Sequence, residues 1–439
     1  GYSIKGLRMN NTDSEGFKHA GLFCSLMNAT VENLVIDSSC SFTGYHAGTL
    51  SVSLDGLSTV RHTTNNAAVN GTRFVGGFIG YVGGSRQQAV ISFDDCISYA
   101  NVSGHADIFG GTGGFVGYIL QTTNTTLTIS NSVSSGNVIG DYSYGGFIGT
   151  VGMFAVFNVT IVISNSINNG IVNGMGGNGG GFVGFVSWSV NVSMTILNSI
   201  NNGNVTGSGY IGGLVGSIDG SANVTMTVMN SINNGNVTGS WDCVGGLVGS
   251  IDSYSDSESI TLDIMNSANK GSVSATNSMA CGFVCVDTEY NINVKTTMKN
   301  SINKGNVKAS TNGYGITNNI TEARNVVSMG DVTSPSGSFT FWKTSTDVHL
   351  FFGLDGKCIN CDGATLFQHN TTTEFYEVVG TGEHVDDLLN KESDKQHYGV
   401  KWTRELELDI PLSGGVIHTL SMVSIALALF LTLRTAISL

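Results

Sequence analysis

Apolar and polar residues alternate in several short segments of the chain, and each segment predicts a β-strand. A period of two, with β-branched residues, is typical of a strand that buries one face. An Asn-Asn-Gly or related turn follows each segment, and a short run such as GGFVG or GGLVG completes the unit. The clearest segments are Val159/Ile161/Ile163, Val192/Met194/Ile196, Val224/Met226/Val228 and Ile260/Leu262/Ile264.

The unit of three predicted strands recurs every 32–36 residues, measured between its Asn-Ser dipeptides. A degenerate earlier copy begins at Asp95, and a shortened last copy begins at Asn325. One such unit cannot enclose its apolar face, whereas stacked units share a continuous core. The sequence therefore predicts an all-β solenoid, similar to a parallel β-helix, of about seven to eight repeats. The repeated asparagines are Asn131, Asn165, Asn198, Asn230, Asn266 and Asn300.

Two features of the repeat leave alternatives open. The aligned asparagines either hydrogen-bond from coil to coil, as stacked amides do, or cap their own turns. The Asn-Asn-Gly-Asn run either turns a solenoid corner or closes an antiparallel hairpin within each repeat. In both cases we expect the glycine, such as Gly203, to adopt a positive φ. Paired glycines in the GGLVG run indicate a close approach between backbones.

The recurring GG-[Leu/Phe]-Val-Gly element resembles the GLUG repeat over residues 74–330. Its best matches are Gly213-Leu214-Val215-Gly216 and Gly246-Leu247-Val248-Gly249, while phenylalanine replaces leucine in most other copies. This resemblance implies a β-rich stalk or adhesive region of a large secreted or surface-attached protein. Some members also carry a metallopeptidase domain with an H-E-x-x-H motif, but no histidine of this chain is followed by glutamate.

Composition shifts along the chain predict five regions. Residues 1–73 are predicted to be an N-terminal entry segment, either a cap or a degenerate coil, and residues 74–334 are predicted to be the solenoid. Residues 335–373 combine aromatic residues with a CxxC motif and predict a small cap. Residues 374–412 carry ten Asp or Glu in their 374–410 part and predict a solvated stalk that could contain a short helix near 383–396. Residues 413–439 contain a mostly apolar run at 416–433.

The C-terminal region and the sequons predict a cell-surface protein. Small residues at 413–415, a short spacer and an apolar tail match a GPI-anchor signal with attachment at Ser413. A single-pass helix or a buried core helix is the alternative. The chain starts at Gly1 without a signal peptide, so we expect a processed chain or a fragment. Its twelve N-x-Ser/Thr sequons are Asn10, Asn28, Asn70, Asn101, Asn124, Asn158, Asn191, Asn204, Asn223, Asn236, Asn319 and Asn370.

The cysteines suggest local disulfides of an exported protein. Cys24 with Cys40, and Cys358 with Cys361, are candidate pairs. Cys281 and Cys285 replace glycines that flank the repeated Gly-Leu/Phe-Val element, and they are further candidates. The Cys358–Cys361 motif also allows half a zinc site or a redox pair, but it lacks a second CxxC and a βαβ context.

The scarcity of charged residues in the middle of the chain argues against a catalytic site. No cofactor is predicted. Residues 111–250 contain three charged side chains, Asp141, Asp219 and Asp242, and no His, Lys or Arg. Acid–base catalysis needs titratable groups close together, and the two later aspartates occupy different phases of the repeat. Asp94 and Asp95 with His105 form the best remaining cluster, although a solvated turn is the favoured explanation of these residues.

The expected function is therefore a non-enzymatic surface coat or adhesin that contacts extracellular glycans, matrix or host proteins. Trp188 and Trp241 are candidate contact residues. The net charge of −13, with 19 Lys and Arg, offers no basic surface for nucleic acid. An antigenic coat without a ligand and a carbohydrate-active β-helix enzyme, such as a polysaccharide lyase or hydrolase, are the alternatives.

Overall fold

A computed structural model shows a parallel β-solenoid of about nine turns with almost no helix. Each coil contributes strands at five positions, and equivalent strands of successive coils pair in parallel. We number these five stacks from the strand that precedes the repeated asparagine. The structure describes residues 1–11, 18–84, 88–105, 109–252, 259–286, 293–335, 338–341, 348–354, 365–370, 375–378, 384–395, 401–402, 406 and 408–409.

The first two stacks lie on either side of the corner made by the repeated asparagine. The first stack contains Thr30–Glu32, Leu57–Arg61, Val90–Asp94, Thr123–Ser130, Ala222–Met229, Ile260–Met265, Val294–Asn303, Glu322–Ser328, Val348–Leu354 and Thr365–Asn370. The second stack contains Tyr2–Ile4, Leu34–Ile36, Thr64–Asn65, Ile97–Ser98, Val133–Ser134, Ile167–Asn168, Ile200–Asn201, Ile232–Asn233 and Ala268–Asn269.

The third and fourth stacks share two continuous strands, Ser41–Gly48 and Ala68–Gly76. The third also contains Arg8–Asn10, Val102–Gly104, Val138–Gly140, Val172–Gly174, Val205–Thr206, Val237–Gly239, Val273–Ala275, Val307–Lys308 and Val332–Thr333. The fourth also contains His19–Ala20, Gly111–Gly113, Ser143–Gly145, Asn178–Gly180, Ile211–Gly212, Val244–Gly245, Ala280–Cys281, Gly313–Thr317 and Ser338–Phe341.

The fifth stack closes each coil and leads into the first. Two long strands, Ile148–Ser164 and Val183–Leu197, run through both stacks without a break. The other members of the fifth stack are Phe23–Met27, Ser51–Asp55, Ile79–Gly83, Val116–Leu120, Val215–Asp219, Val248–Asp252 and Val284–Val286.

Parallel pairing between coils rules out the hairpin alternative. The two antiparallel pairs in the described residues lie near the C-terminus, outside the repeats. Stacking already begins at Tyr2–Ile4, so residues 1–73 contribute coils of the same kind as the later ones. Strand Ser338–Phe341 likewise continues the fourth stack into the region predicted as a cap.

Two apolar compartments run along the solenoid. The larger lies between the first and fifth stacks, and the smaller lies between the third and fourth. The Leu/Phe position of the GG-[Leu/Phe]-Val-Gly element fills the larger compartment. Its rings follow one another at centroid distances of 4.8 Å from Phe115 to Phe147 and 5.2 Å from Phe147 to Phe182. A large ring or leucine recurs there because each one packs on its equivalent in the next coil.

The repeated asparagine, not the glycine after it, has the left-handed backbone. φ lies between +46° and +53° at all six repeated asparagines, and Asp95 and Asn325 share the conformation. Asparagine tolerates this region better than other L-residues apart from glycine. Gly203 has no positive φ, so the predicted reason for its glycine is wrong. A Cβ at Gly203 would instead overlap the carbonyl oxygen of Gly170 in the preceding coil.

A C-terminal helix, Val385–Lys395, packs on the side of the solenoid. Val385 and Leu389, together with Trp402, Leu406 and Leu408, form a buried cluster against the second stack. The second-stack contacts are Ile232, Ala268, Ile302 and Val327, the last two lying where strands Val294–Asn303 and Glu322–Ser328 continue from the first stack into the second. The prediction of a purely solvated stalk is therefore wrong for this segment, because its apolar residues cover an outward-facing apolar column.

Candidate functional site

The six repeated asparagines lie in one column along a corner of the solenoid. From Asn165 onwards, the side-chain Nδ2 of each donates to the Oδ1 of its equivalent one coil earlier. The N···O distance is 3.2 Å from Asn198 to Asn165 and 2.9 Å from Asn230 to Asn198. Asn300 donates to Asn266 in the same way. At the N-terminal end of the column, Asn131 donates to Asp94 at 2.8 Å. The structure thus brings the six asparagines together as a coil-to-coil ladder.

A second amide ladder is buried three residues further along each repeat, and sequence reasoning missed it. Asn201 donates to Asn233 Oδ1 at 2.8 Å, and Asn233 donates to Asn269 Oδ1 at 2.8 Å. Each side chain also donates to the carbonyl of the glycine two residues later, as Asn201 does to Gly203 at 2.8 Å. These asparagines are fully buried. The paired glycines pack against this ladder, since a Cβ at Gly213 would lie 2.5 Å from Cγ of Asn233.

A third ladder lies on the surface and consists of four predicted glycosylation asparagines. Asn158 donates to Asn124 at 2.9 Å, Asn191 to Asn158 at 2.8 Å, and Asn223 to Asn191 at 3.0 Å. All four have a positive φ and are exposed. This column gives the solenoid a straight outer edge of identical amides, one from each coil.

The other sequons are also mostly at the surface. Asn10, Asn28, Asn70, Asn101, Asn204 and Asn236 are exposed. Four of them accept a backbone N–H of the next coil through Oδ1: Asn28 from Leu57 at 2.8 Å, Asn101 from Asn137 at 3.1 Å, Asn204 from Asn236 at 2.9 Å, and Asn236 from Ser272 at 2.9 Å. Asn319 is half-buried, and the side chain of Asn370 lies outside the described residues.

Side chains of the fourth and fifth stacks face each other along one side of the solenoid, and we call the space between them the groove. Over the N-terminal coils it is filled by aromatic rings. His46 stacks on His19 at 5.0 Å and on Phe74 at 4.4 Å, and Phe74 contacts the ring of Tyr118 at 4.5 Å. Because Phe74 belongs to the fourth stack and Tyr118 to the fifth, this last contact closes the groove.

Burial in this aromatic stack lowers the pKa of His46 to about 3, and the charges of His19 and Arg73 act in the same direction. The folded chain therefore holds His46 neutral, whereas the unfolded chain takes up a proton below pH 6.5. We expect the free energy of unfolding to fall as pH drops from 6.5 towards 3. Denaturation midpoints measured across this range should fall less in His46→Phe, which keeps a stacked ring. His105→Phe is the control, because His105 is exposed; parallel curves for wild type and His46→Phe would contradict the prediction.

The groove opens in its middle into a cavity of about 310 Å³. Four aromatic residues and two carboxylates line it: Tyr142, Phe185, Tyr210, Trp241, Asp219 and Asp242. Phe185 is buried at its base, and its ring lies 6.5 Å from that of Tyr142 in an edge-to-face arrangement. Trp241 is 69% exposed at the rim.

The cavity corrects the expectation that Asp219 and Asp242 stay apart. Asp219 ends a fifth-stack strand and Asp242 precedes a fourth-stack strand, so they differ in phase. The two stacks nevertheless face each other across the groove, and both aspartates line the same cavity. Burial, with a further contribution from the charge of Asp219, raises the pKa of Tyr142. The Tyr142 hydroxyl therefore remains protonated at neutral pH and can donate to a ligand.

Comparison of the chain with family models, with curated proteins and with solved structures finds no match. The fold itself is established as a β-solenoid. Membership of the GLUG family is not shown, and the GG-[Leu/Phe]-Val-Gly resemblance stays an expectation.

The cysteines beside the groove form one of the predicted disulfides. Cys281 and Cys285 are joined, with their Cα atoms 5.5 Å apart. Cys24 and Cys40 are not joined, because Cys24 is exposed on its strand whereas Cys40 is buried and its Sγ lies 3.4 Å from the Ile4 carbonyl oxygen. Cys358 and Cys361 lie outside the described residues.

Other candidate residues do not assemble into a site. Asp94 Oδ1 accepts from Ser130 and Asn131, while Asp95 lies 3.7 Å from His62. His105 lies 3.4 Å from Asp141 instead of joining them. Trp188 is 68% exposed and does not line the cavity.

No helix within the described ranges is long and apolar enough to cross a bilayer. The predicted anchor region, including Ser413, lies outside those ranges.

Proposed function

We propose that the chain is a glycosylated cell-surface solenoid that serves, without catalysis, as a coat protein or adhesin. The observation that carries this proposal is the exposed ladder Asn124–Asn158–Asn191–Asn223, where identical amides recur once per coil. Wherever these four sequons carry no glycan, the column presents the same polar group at about 4.8 Å intervals, the spacing of paired strands. Weak contacts to a repetitive partner, such as a glycan or matrix surface, add up along it through multivalency.

The low charge of the central coils supports the same proposal. Only three charged side chains occur in residues 111–250, so contact with a partner there depends on hydrogen bonds and packing. Attachment to the membrane through a GPI anchor at Ser413, or through a single-pass helix, would hold the solenoid at the extracellular face. Ten exposed sequon asparagines are consistent with this location.

Display of the full chain on cultured eukaryotic cells tests the proposal. Displaying cells should adhere to immobilised glycans or matrix proteins more strongly than cells without the chain. Treatment with a phosphatidylinositol-specific phospholipase should release the chain and abolish the adhesion if a GPI anchor is present. Failure to reach the surface, or adhesion no greater than that of control cells, would contradict the proposed function.

One observation favours the carbohydrate-active enzyme as a second candidate. Asp219 and Asp242 line the same cavity, and glycoside hydrolysis generally uses two carboxyl groups that flank the scissile bond. Release of new reducing ends from polysaccharides by the full chain, abolished in both Asp219→Asn and Asp242→Asn, would support the enzyme. Saccharide binding without such release would support the adhesin.

A further inference from the structure

We propose that the open segment of the groove binds the end of a glycan chain, and that its ligand is no larger than a short oligosaccharide. The site is the cavity lined by Tyr142, Phe185, Tyr210, Trp241, Asp219 and Asp242. The inference rests on the proposed function in one respect, because it names the ligand through which an adhesin of this fold recognises a surface. It adds a single defined pocket to the repetitive contacts along the solenoid.

The lining matches the two kinds of surface that a sugar ring presents. The C–H face of a pyranose is apolar and packs on an aromatic ring, whereas its hydroxyl edge needs hydrogen-bond partners. Trp241 offers an exposed ring at the rim, and Tyr210 also lines the cavity. The carboxylates of Asp219 and Asp242 can accept from hydroxyls in charge-assisted hydrogen bonds. The Tyr142 hydroxyl, whose pKa is raised, remains a donor.

The backbone around the cavity is fixed before a ligand arrives. The Trp241 N–H donates to the carbonyl of Ser208 at 2.8 Å, and the Asn178 N–H donates to the carbonyl of Tyr142 at 2.6 Å. Both bonds join neighbouring coils and hold the rim residues at successive levels. Pre-formed sites of this kind lose less conformational entropy when they bind.

The groove is closed on both sides of the cavity, and this limits the length of the ligand. Towards the N-terminus the Phe74–Tyr118 contact fills it, and Tyr118 is fully buried. Towards the C-terminus the Cys281–Cys285 disulfide packs with Cys243 and Tyr314 in a buried cluster. A polymer cannot run along the axis past either block. The cavity volume, about 310 Å³, is also near the lower limit for small-molecule sites. The site therefore binds the end of a glycan chain.

Aromatic rings beside carboxylates also suit a quaternary ammonium ion. The saccharide is favoured because Trp241 is 69% exposed and so forms an open platform at the rim, not one wall of an enclosing cage. Polar Asn178 and Ser208 also line the cavity and provide hydroxyl-binding groups that an ammonium ion would not use. Choline is accordingly included in the test as the competing ligand.

Titration of the full chain with an array of mono-, di- and trisaccharides, with long polymers of the same sugars and with choline tests the inference. We expect saturable binding of at least one short saccharide, with no gain in affinity per chain end on going from trisaccharide to polymer. Trp241→Ala should weaken this binding by more than about tenfold, as truncation of an aromatic residue that packs on the ligand does. Trp188→Ala is the matched control, because Trp188 is equally exposed but lies outside the cavity.

Asp242→Asn provides a second variant and should weaken binding without changing the thermal midpoint. The inference is overturned if no saccharide binds, if choline alone binds, if Trp241→Ala binds as well as wild type, or if affinity keeps rising with polymer length. Surface adhesion that survives Trp241→Ala would overturn this site and leave the proposed adhesin intact. Saccharide binding by a chain that supports no adhesion would overturn the proposed adhesin and leave this site intact.

Discussion

Gly203→Ala should destabilise the solenoid by about 3 kcal/mol, in the upper range for overpacked interiors. The added Cβ would overlap the carbonyl oxygen of Gly170 and approach the Nδ2 of Asn168 at 3.0 Å. Backbone atoms of two coils cannot separate there without lengthening the hydrogen bonds on both sides of the corner. Chemical denaturation of the full chain, followed by circular dichroism, measures the change.

Gly313→Ala is the matched control for this substitution. A Cβ at Gly313 would meet only side-chain atoms, the nearest being Val332 Cγ1 at 3.0 Å. A side chain adjusts more easily than a backbone, so we expect a change of less than about 1 kcal/mol. Equal losses in the two variants would mean that the close approach of the coils does not explain the glycine.

Asn233→Leu should also cost about 3 kcal/mol, because it breaks the buried amide ladder while leaving the side-chain volume similar. Asn269 Oδ1 and the Gly235 carbonyl each lose a donor at 2.8 Å. Asn201 Nδ2 loses its acceptor at 2.8 Å. Unsatisfied buried groups cost about 1–3 kcal/mol each when no water replaces the partner. The same denaturation experiment measures the loss.

Asn234→Leu is the control that distinguishes loss of the buried ladder from the loss of any amide side chain. Asn234 is the next residue, is exposed, and donates to Asn202 Oδ1 at 2.8 Å. Water can replace that partner, so we expect a change of less than about 1 kcal/mol. If Asn234→Leu proved as damaging as Asn233→Leu, burial of the ladder would not be the source of the stability.

The sequence predicts the solenoid because its fold depends on repetition. Alternation before Asn198 indicated a strand with one buried face, and the constant spacing placed equivalent residues on top of each other. The sequence did not show which residues from Asn198 onwards face the interior and which face solvent. In Asn198-Ser-Ile-Asn201-Asn202 the three asparagines form a corner, a buried ladder and an exposed ladder, respectively. Identical residues have different surroundings because the chain turns sharply between them.

The cavity could not be predicted from the repeat, because it is made where the repeat varies. Tyr142, Tyr210 and Trp241 come from loops whose residues differ from coil to coil. The position of a residue within the repeat also did not show that the fourth and fifth stacks face each other. That arrangement brings Asp219 and Asp242 to the same cavity. The docked helix Val385–Lys395 is similar, since its contacts with the second stack have no counterpart in the repeat.

Each coil bonds mainly to the coil before it and the coil after it. This arrangement also determines how the molecule responds to tension. A load applied between its ends would peel coils away singly, since removing an outermost coil leaves the hydrogen bonds deeper in the stack intact. Each release would lengthen the tether by about 110 Å, the reach of some 33 extended residues. Under such a load the solenoid would therefore lengthen in discrete steps instead of unfolding all at once.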